Sequence, residues 1–293
     1  MKFLSFEHGG YERVGWLQED GQTVLSPDRE SRGMPQTVMD VIKRGPYARH
    51  QIKTAGDKLE SFNLDDIQLN PPIIPWATFV VTANSSDPSE AERLRTAEHP
   101  TVTLRTPRNH VAHGIDLDIP LWTKTLECEG KIVVVLGRGG RYIKVDHALK
   151  HIFGYSIYND GTAKGFLEHS SQFGIARMFD MSAAFGPWIT TEDEFGEDPY
   201  GITVETKVND EVVQSNVLSD IRHTIEETIA YISSAVTMFP GDVVVIGLPA
   251  GDGPRPERLQ QIDDRVDITI SGIGTLSNVI KPEPTHPRVV GCC

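Results

Sequence analysis

The run Ile132-Val133-Val134-Val135-Leu136 constrains the fold of this chain more than any other stretch. Consecutive β-branched and aliphatic residues of this kind read as a buried strand. Directly before it stands Leu126-Glu127-Cys128-Glu129-Gly130-Lys131. Side chains alternate faces along a strand, so Glu127, Glu129 and Lys131 project to one side. Two carboxylates and an ammonium leading into a buried strand are costly unless they meet partners or a cation. They are either solvated charges at an exposed strand start or part of a charged pocket.

Further strands are expected at Thr78 to Thr82, Thr101 to Leu104, Ile202 to Val208 and Asp242 to Ile246. Residues 1–16 and 22–26, broken by Gly9-Gly10 and Gly21, read as a hairpin-like β unit. Thr37 to Arg44 reads as a short helix ended by Gly45-Pro46, and Leu64 to Leu69 as a strand closed by Asn70-Pro71-Pro72. Apolar spacing of three to four predicts helices over Val145 to Ile152 and Ser219 to Met238, the second with Ser219 or Asp220 as N-cap. Many strands with few helices predict an α+β, mainly β fold. The expected division is a small β-rich domain over 1–70, a main domain over 71–282 and a mobile tail over 283–293, where Pro284 and Pro287 oppose regular structure.

The 293 residues carry 28 basic and 41 acidic side chains, a formal charge of −13. Without a basic cluster, that balance repels a phosphate backbone and excludes nucleic acid as a partner. No apolar run reaches the roughly 18 residues that cross a bilayer. The N-terminal stretch, interrupted by Glu7 and His8, lacks a signal-peptide core, so a cytoplasmic location is expected. Cys128, Cys292 and Cys293 are too few and too badly placed for a disulfide framework or a zinc site. The terminal cysteine pair resembles a prenylation end only weakly, since no polybasic stretch precedes it.

Six segments in order carry a resemblance to the fumarylacetoacetate hydrolase family. Glu129-Gly130-Lys131 with its apolar run resembles that family's Glu-x-Glu strand, and Gly154-Tyr155-Ser156-Ile157-Tyr158-Asn159-Asp160-Gly161-Thr162-Ala163 its GY-x-x-x-ND segment. Phe185-Gly186-Pro187-Trp188-Ile189 is similar to its LGPW turn, and Asn209-Asp210-Glu211-Val212-Val213-Gln214 to its NGE-x-x-Q hairpin. Pro240-Gly241-Asp242 with Gly247-Leu248-Pro249-Ala250-Gly251 resembles PGD…GTPAG, and Gly272-Ile273-Gly274-Thr275-Leu276-Ser277-Asn278 resembles GIG-x-L-x-N. The resemblance implies a mixed β-sandwich or β-roll with a small N-terminal domain. It also implies a homodimer and a divalent metal, Mg²⁺ or Mn²⁺, held by two glutamates and an aspartate.

The departures are specific. Glu129 takes the first glutamate position and Asp160 keeps the aspartate, but Lys131 stands where the second glutamate is expected. A register slip by two would instead pair Glu127 with Glu129. The metal set is therefore Glu129, Asp160 and Glu127 if a metal is retained, or no metal, with the Lys131 ammonium supplying the charge. The family's catalytic His-x-x-Glu meets Asn84-Ser85-Ser86-Asp87-Pro88-Ser89-Glu90, where Asn84 matches but Pro88 occupies the histidine position. Proline carries no titratable group, so the water-activating dyad is lost unless Asp87 or Glu90 replaces it. Arg105 and Arg177 stand for two family lysines, and Leu248 for a threonine. By resemblance, Lys131, Glu129, Asp160 and Arg177 are the catalytic candidates, and Arg105, Gln214, Asn84 and Leu248 the substrate-binding ones. His110 and His113 read as a hydrogen-bonded loop pair rather than metal ligands.

The implied activity is that of an enzyme acting on a small β-dicarbonyl, 2-oxo acid or enol compound. Without an activated water, decarboxylation, tautomerisation or cyclisation is favoured over hydrolytic C–C cleavage. The alternative is a catalytically inactive family member retained for binding or assembly.

Overall fold

A computed structural model describes residues 1–83, 88–124, 126–168, 174–196, 198–249 and 260–285. The first third comprises strands β1 (Lys2–His8), β2 (Tyr11–Leu17) and β3 (Thr23–Pro27), helices α1 (Val38–Arg44) and α2 (Pro46–Lys53), then β4 (Leu59–Asn63), β5 (Gln68–Asn70) and β6 (Thr78–Thr82). Helix α3 (Pro88–Thr96) leads to β7 (Thr101–Arg105), β8 (His110–Val111), β9 (Leu117–Ile119), β10 (Glu127–Leu136) and β11 (Ile152–Thr162). After α4 (Gly174–Arg177) come β12 (Ala183–Thr191), β13 (Thr203–Val208), β14 (Glu211–Val217), α5 (Ile225–Ala235), β15 (Val243–Ile246), β16 (Arg265–Ile270) and β17 (Gly274–Pro282).

The expected helices are present with corrected limits. Thr37 caps α1 by accepting the Asp40 N–H at 3.1 Å, and Asp40 returns the bond to the Thr37 N–H, a reciprocal cap that fixes the start. Its end is Gly45 at φ 55°, as the Gly-Pro pair predicts, but α2 begins at once from Pro46. The long helix starts at Ile225 rather than at Ser219, because Thr224 and Glu227 form the reciprocal cap and 218–220 is a separate 3-10 turn. Val145–His151 is 3-10 rather than α-helical, and Leu64–Asp66 is also a 3-10 turn, leaving Gln68–Asn70 as the strand. The double-cysteine end and the Ala250-Gly251 pair lie outside the described residues.

Among the described residues the strands form two sheets. A 12-stranded sheet runs β4-β3-β2-β1-β12-β11-β10-β15-β6-β7, with β5 on β1 and β8 on β12. The other sheet runs β14-β13-β16-β17-β9. Residues 1–70 are sewn into the large sheet where β1 pairs β12, Lys2 opposite Thr190 and Phe3 opposite Ile189. Strand β10 is central and buried on both faces, which explains its unbroken apolar run. Its Ile132, Val134 and Leu136 pack with Val204, Ile268 and Leu276 in the core between the sheets. Val133 and Val135 face the other way, against Val38, Ile42 and Ile52 of the two N-terminal helices. No helix among the described residues is long and apolar enough to cross a membrane.

Candidate active site

The alternation that splits the β10 valines between two cores also sorts the charges preceding them. On β10, Glu129 lies opposite Asp160 of β11 and Lys131 opposite Tyr158. Directly opposed residues share a face. Lys131 is only 2% exposed, and its Nζ donates to Asp160 Oδ2 and stands 3.2 Å from Glu129 Oε2. Glu129, at 25% exposed, is where this group meets the outside.

Two arginines complete the cluster. Arg105 ends β7, the far edge of the large sheet, yet its guanidinium donates to Asp160 Oδ1, so the sheet coils enough to bring its edge over its middle. The same side chain donates to the carbonyls of Gly161, at 2.6 Å, and Arg177, and to Ser182 Oγ at 2.9 Å. Arg177, at the end of α4, donates from Nε to Thr162 Oγ1 and from NH1 to Thr82 Oγ1, each at 3.2 Å. It stands 3.8 Å from Asp160 Oδ2.

Burial alone would push the Asp160 carboxyl up, but Arg105, Lys131 and Arg177 together outweigh it and hold it well below the ordinary carboxylate range. Three cationic side chains against two carboxylates leave the cluster with one net positive charge. An anion with two oxygens suits such a surplus, particularly against a guanidinium fork.

Several residues expected at the site are placed elsewhere. Gln214 approaches β10 from the opposite face, where a side chain at Gly130 would meet it. Its Oε1 accepts the Gly130 N–H at 2.9 Å and its Nε2 donates to the Gly130 carbonyl at 3.0 Å, so its amide is spent on the strand backbone. Leu248 is buried in the apolar core between the sheets, again on the face away from Lys131. Glu127 pairs with Lys164 at 3.1 Å, and the slipped register that would bring it beside Asp160 does not occur. Asn84 and Asp87 lie outside the described residues. Pro88 opens α3, a position where its missing N–H costs nothing.

The site also holds residues that sequence reasoning passed over. Thr162 lies two positions after Asp160, hence on the same face, and that spacing was the available signal. Thr82 and Ser182 come from distant elements and give none. His110 and His113 do not act together: His110 Nε2 lies 2.8 Å from the Tyr158 hydroxyl, while His113 Nδ1 accepts the Ser277 N–H at 3.1 Å. His110 Nδ1 lies 3.2 Å from the Pro107 carbonyl, so Nδ1 carries the proton and Nε2 accepts from Tyr158. Cys128 is buried on the inter-sheet face, and burial first, then the carboxylates of Asp160 and Glu127, push its thiol up.

A family model described as fumarylacetoacetate (FAA) hydrolase C-terminal matches residues 78–281. The chain belongs to the fumarylacetoacetate hydrolase family. It is 33% identical to the oxaloacetate tautomerase YisK of Bacillus subtilis over 301 residues, covering 96% of this chain and 100% of that protein. The fumarylacetoacetate hydrolase of Exiguobacterium antarcticum superposes with a TM-score of 0.80 at 29% identity, over 97% of this chain and 100% of its own. A maleylpyruvate hydrolase from Sphingobium sp. SYK-6, solved with manganese(II) and pyruvate, shares the fold at 21% identity and a TM-score of 0.77, over 97% of this chain and 100% of that one. The chain is an enzyme of this family, with a mainly β fold that matches its structural neighbours.

A divalent cation of the kind held by that hydrolase seeks oxygen donors. Here a protonated lysine, which has donors and no lone pair, stands between the two carboxylates that would supply them. Both Asp160 oxygens are already engaged, one by Arg105 and the other by Lys131. The described residues include no group of three or more His, Cys, Asp or Glu able to hold a metal. The donor set does not fit the ion.

Proposed function

We propose that the protein catalyses keto–enol tautomerisation of a 2-oxo acid, with the Lys131 ammonium carrying the positive charge that a divalent cation would otherwise supply. The observation that carries this reading is the bridging position of Lys131 Nζ between Asp160 and Glu129. Tautomerisation passes through an enolate, and fixed positive groups aimed at its oxygen lower the barrier. Lys131 and Arg177 supply that charge, Arg177 gripping the substrate carboxylate while Arg105 and Asp160 hold the pair in place. Glu129, at the mouth, takes the proton from the carbon next to the carbonyl and, as the carboxylic acid, returns it to the enolate oxygen, so one proton moves from carbon to oxygen and Glu129 ends as the carboxylate it began as. Decarboxylation of a β-oxo acid is the second reaction that the same charge would assist.

The similarity to a protein named as an oxaloacetate tautomerase supports this substrate class. Three cations gathered on Asp160, one of them also paired with Glu129, are more than a decayed site needs to retain, which argues against an inactive protein. All the proposed catalytic residues lie between 105 and 177, so residues 1–70 are assigned to support of the sheet and 71–282 to the reaction. A homodimer is the proposed working form, with the exposed Trp76 and Trp122 as side chains a second copy would cover. Sedimentation velocity tests that assignment.

The test of the reaction is the decay of enol ultraviolet absorbance on oxaloacetate, with and without a chelator. Turnover that survives the chelator and falls about 100-fold in Lys131→Gln, at an unchanged melting temperature, supports the reading. Chelator-sensitive turnover, or full activity in Lys131→Gln, overturns it.

A further inference from the structure

Arg177 ends a helix of four residues, Gly174–Arg177. One turn makes too few internal bonds to fix its own last residue, since short helices are marginal without outside contacts. The position of Arg177 therefore comes from its neighbours. On one side the Ala163 N–H donates to the Ala176 carbonyl at 2.8 Å, which ties the turn to the chain just past β11. On the other side stands Asn109, in the 3-10 turn between β7 and β8.

Asn109 is 1% exposed. Its Nδ2 donates to the Phe179 carbonyl at 2.5 Å, to Ser182 Oγ at 3.1 Å and to the Arg177 carbonyl at 3.5 Å. The Ser182 hydroxyl passes the grip on: it accepts from Asn109 and Arg105 and donates to the Arg177 carbonyl at 3.2 Å. Carbonyls only accept, so the amide nitrogen must face them, and the amide oxygen is left to the Thr106 hydroxyl, which donates to it. One buried amide thus clasps the stretch from Arg177 to Ser182 that joins α4 to β12. Asn109 bonds to none of Lys131, Glu129 and Asp160 among the described residues. What it reaches is the backbone of Arg177, whose Nε and NH1 are spent on Thr162 and Thr82. A guanidinium splinted in this way offers its remaining edge to a carboxylate only while its backbone stays in place.

We infer that Asn109 is a positioning residue, whose amide holds the stretch from Arg177 to Ser182 so that the Arg177 guanidinium meets the substrate carboxylate. This rests on the assignment of Arg177 to that carboxylate. Loss of the amide leaves the tie from Ala163 intact, so Arg177 loosens while α4 stays docked.

The experiment compares the full-length protein with Asn109→Ala in two readouts. In protein made with isotopically labelled arginine, hydrogen exchange at each side-chain Nε–H reports how firmly that guanidinium is held, and the Arg177 signal is identified by its loss in Arg177→Gln. Arg13, buried among the N-terminal strands with its Nε donating to Ser26 Oγ at 3.1 Å, is the internal reference. The second readout is calorimetric titration with oxamate, an unreactive 2-oxo acid analogue. The expected result is exchange about tenfold faster at Arg177 with Arg13 unchanged, and oxamate bound about tenfold more weakly, the fold-change of losing one or two hydrogen bonds. Thr106→Val, an exposed and isosteric change that frees only the amide oxygen, moves both readouts the same way by about threefold and decides the question if Asn109→Ala does not fold. Equal acceleration at Arg13 and Arg177 makes Asn109 a general support of the fold and overturns the inference, as does unchanged exchange at Arg177 or unchanged oxamate affinity. If the wild type binds no oxamate, the 2-oxo acid reading fails, while exchange at Arg177 still decides what Asn109 holds.

Discussion

Lys131 donates its ammonium to Asp160 Oδ2 although its partner across the β10–β11 ladder is Tyr158. The side chain runs diagonally along the sheet, and that slant delivers a positive charge between two carboxylates placed opposite one another, Glu129 and Asp160. The chemistry proposed for this protein depends on that diagonal.

If one ammonium excludes a divalent ion, reversing its charge should admit one. Lys131→Glu is expected to bind Mn²⁺ at least 100-fold more tightly than the wild type, because a cation that repels the ion is replaced by a third carboxylate. Manganese titration followed by electron paramagnetic resonance reads this directly. Equal and measurable binding by both proteins would place the ion elsewhere.

Asp160 is the counterion for buried cations, so neutralising it strands them. Asp160→Asn is expected to lose about 3–5 kcal/mol of stability, the usual cost of breaking a buried pair from one side. Urea midpoints at constant slope measure it. A loss below 1 kcal/mol would mean that Arg105 and Lys131 find other partners.

Gln214 divides structure from binding. Replacing it with Leu leaves the Gly130 N–H and carbonyl without their amide partner, at an expected cost of about 1–3 kcal/mol. The affinity for an unreactive oxo-acid analogue such as oxamate should change less than about twofold, since less than 0.5 kcal/mol is at stake there. A large loss of oxamate affinity at unchanged stability would return Gln214 to the substrate.

His110 gives the protein a defined acid response. Burial first, then the Arg105 charge, push it down to about 3. An unfolded histidine titrates near pH 6.5, so between these values the unfolded chain binds a proton that the folded chain refuses. The stabilising contribution is complete above about pH 6.5 and is lost progressively as the pH falls toward 3, about 2 kcal/mol of it by pH 5. Asp160, whose folded carboxyl titrates far below the unfolded value of about 3.9, adds its own loss only below that pH. Urea unfolding at pH 7 and 5 should therefore show a smaller difference in His110→Gln than in the wild type.

The central strand and the acid cluster were legible because period and charge say the same thing there: the run from Ile132 to Leu136 demands burial, and Glu129 and Lys131 must share a face. The small helices were less so. Ser219 and Asp220 are good cap residues, but Thr224 with Glu227 satisfies two backbone donors at once and takes the start from them. Gln214 and Leu248 resembled site residues by motif, yet the motif does not say which face of a strand the neighbouring sheet occupies. Thr82 and Ser182 owe their place to the coiling of the large sheet, which brings Arg105 to Asp160 and which no local pattern encodes.

The amide of Gln214 grips Gly130 at both of its polar backbone atoms, in the middle of the Glu129-Gly130-Lys131 triplet. The grip depends on no side chain at 131, so the residue there can change sign while the strand stays in register. Glutamate and lysine codons differ by a single first-position base. A metal-dependent ancestor and a protein with a tethered cation would thus stand one point mutation apart on an unaltered frame, with selection free to test either chemistry without passing through an unfolded intermediate.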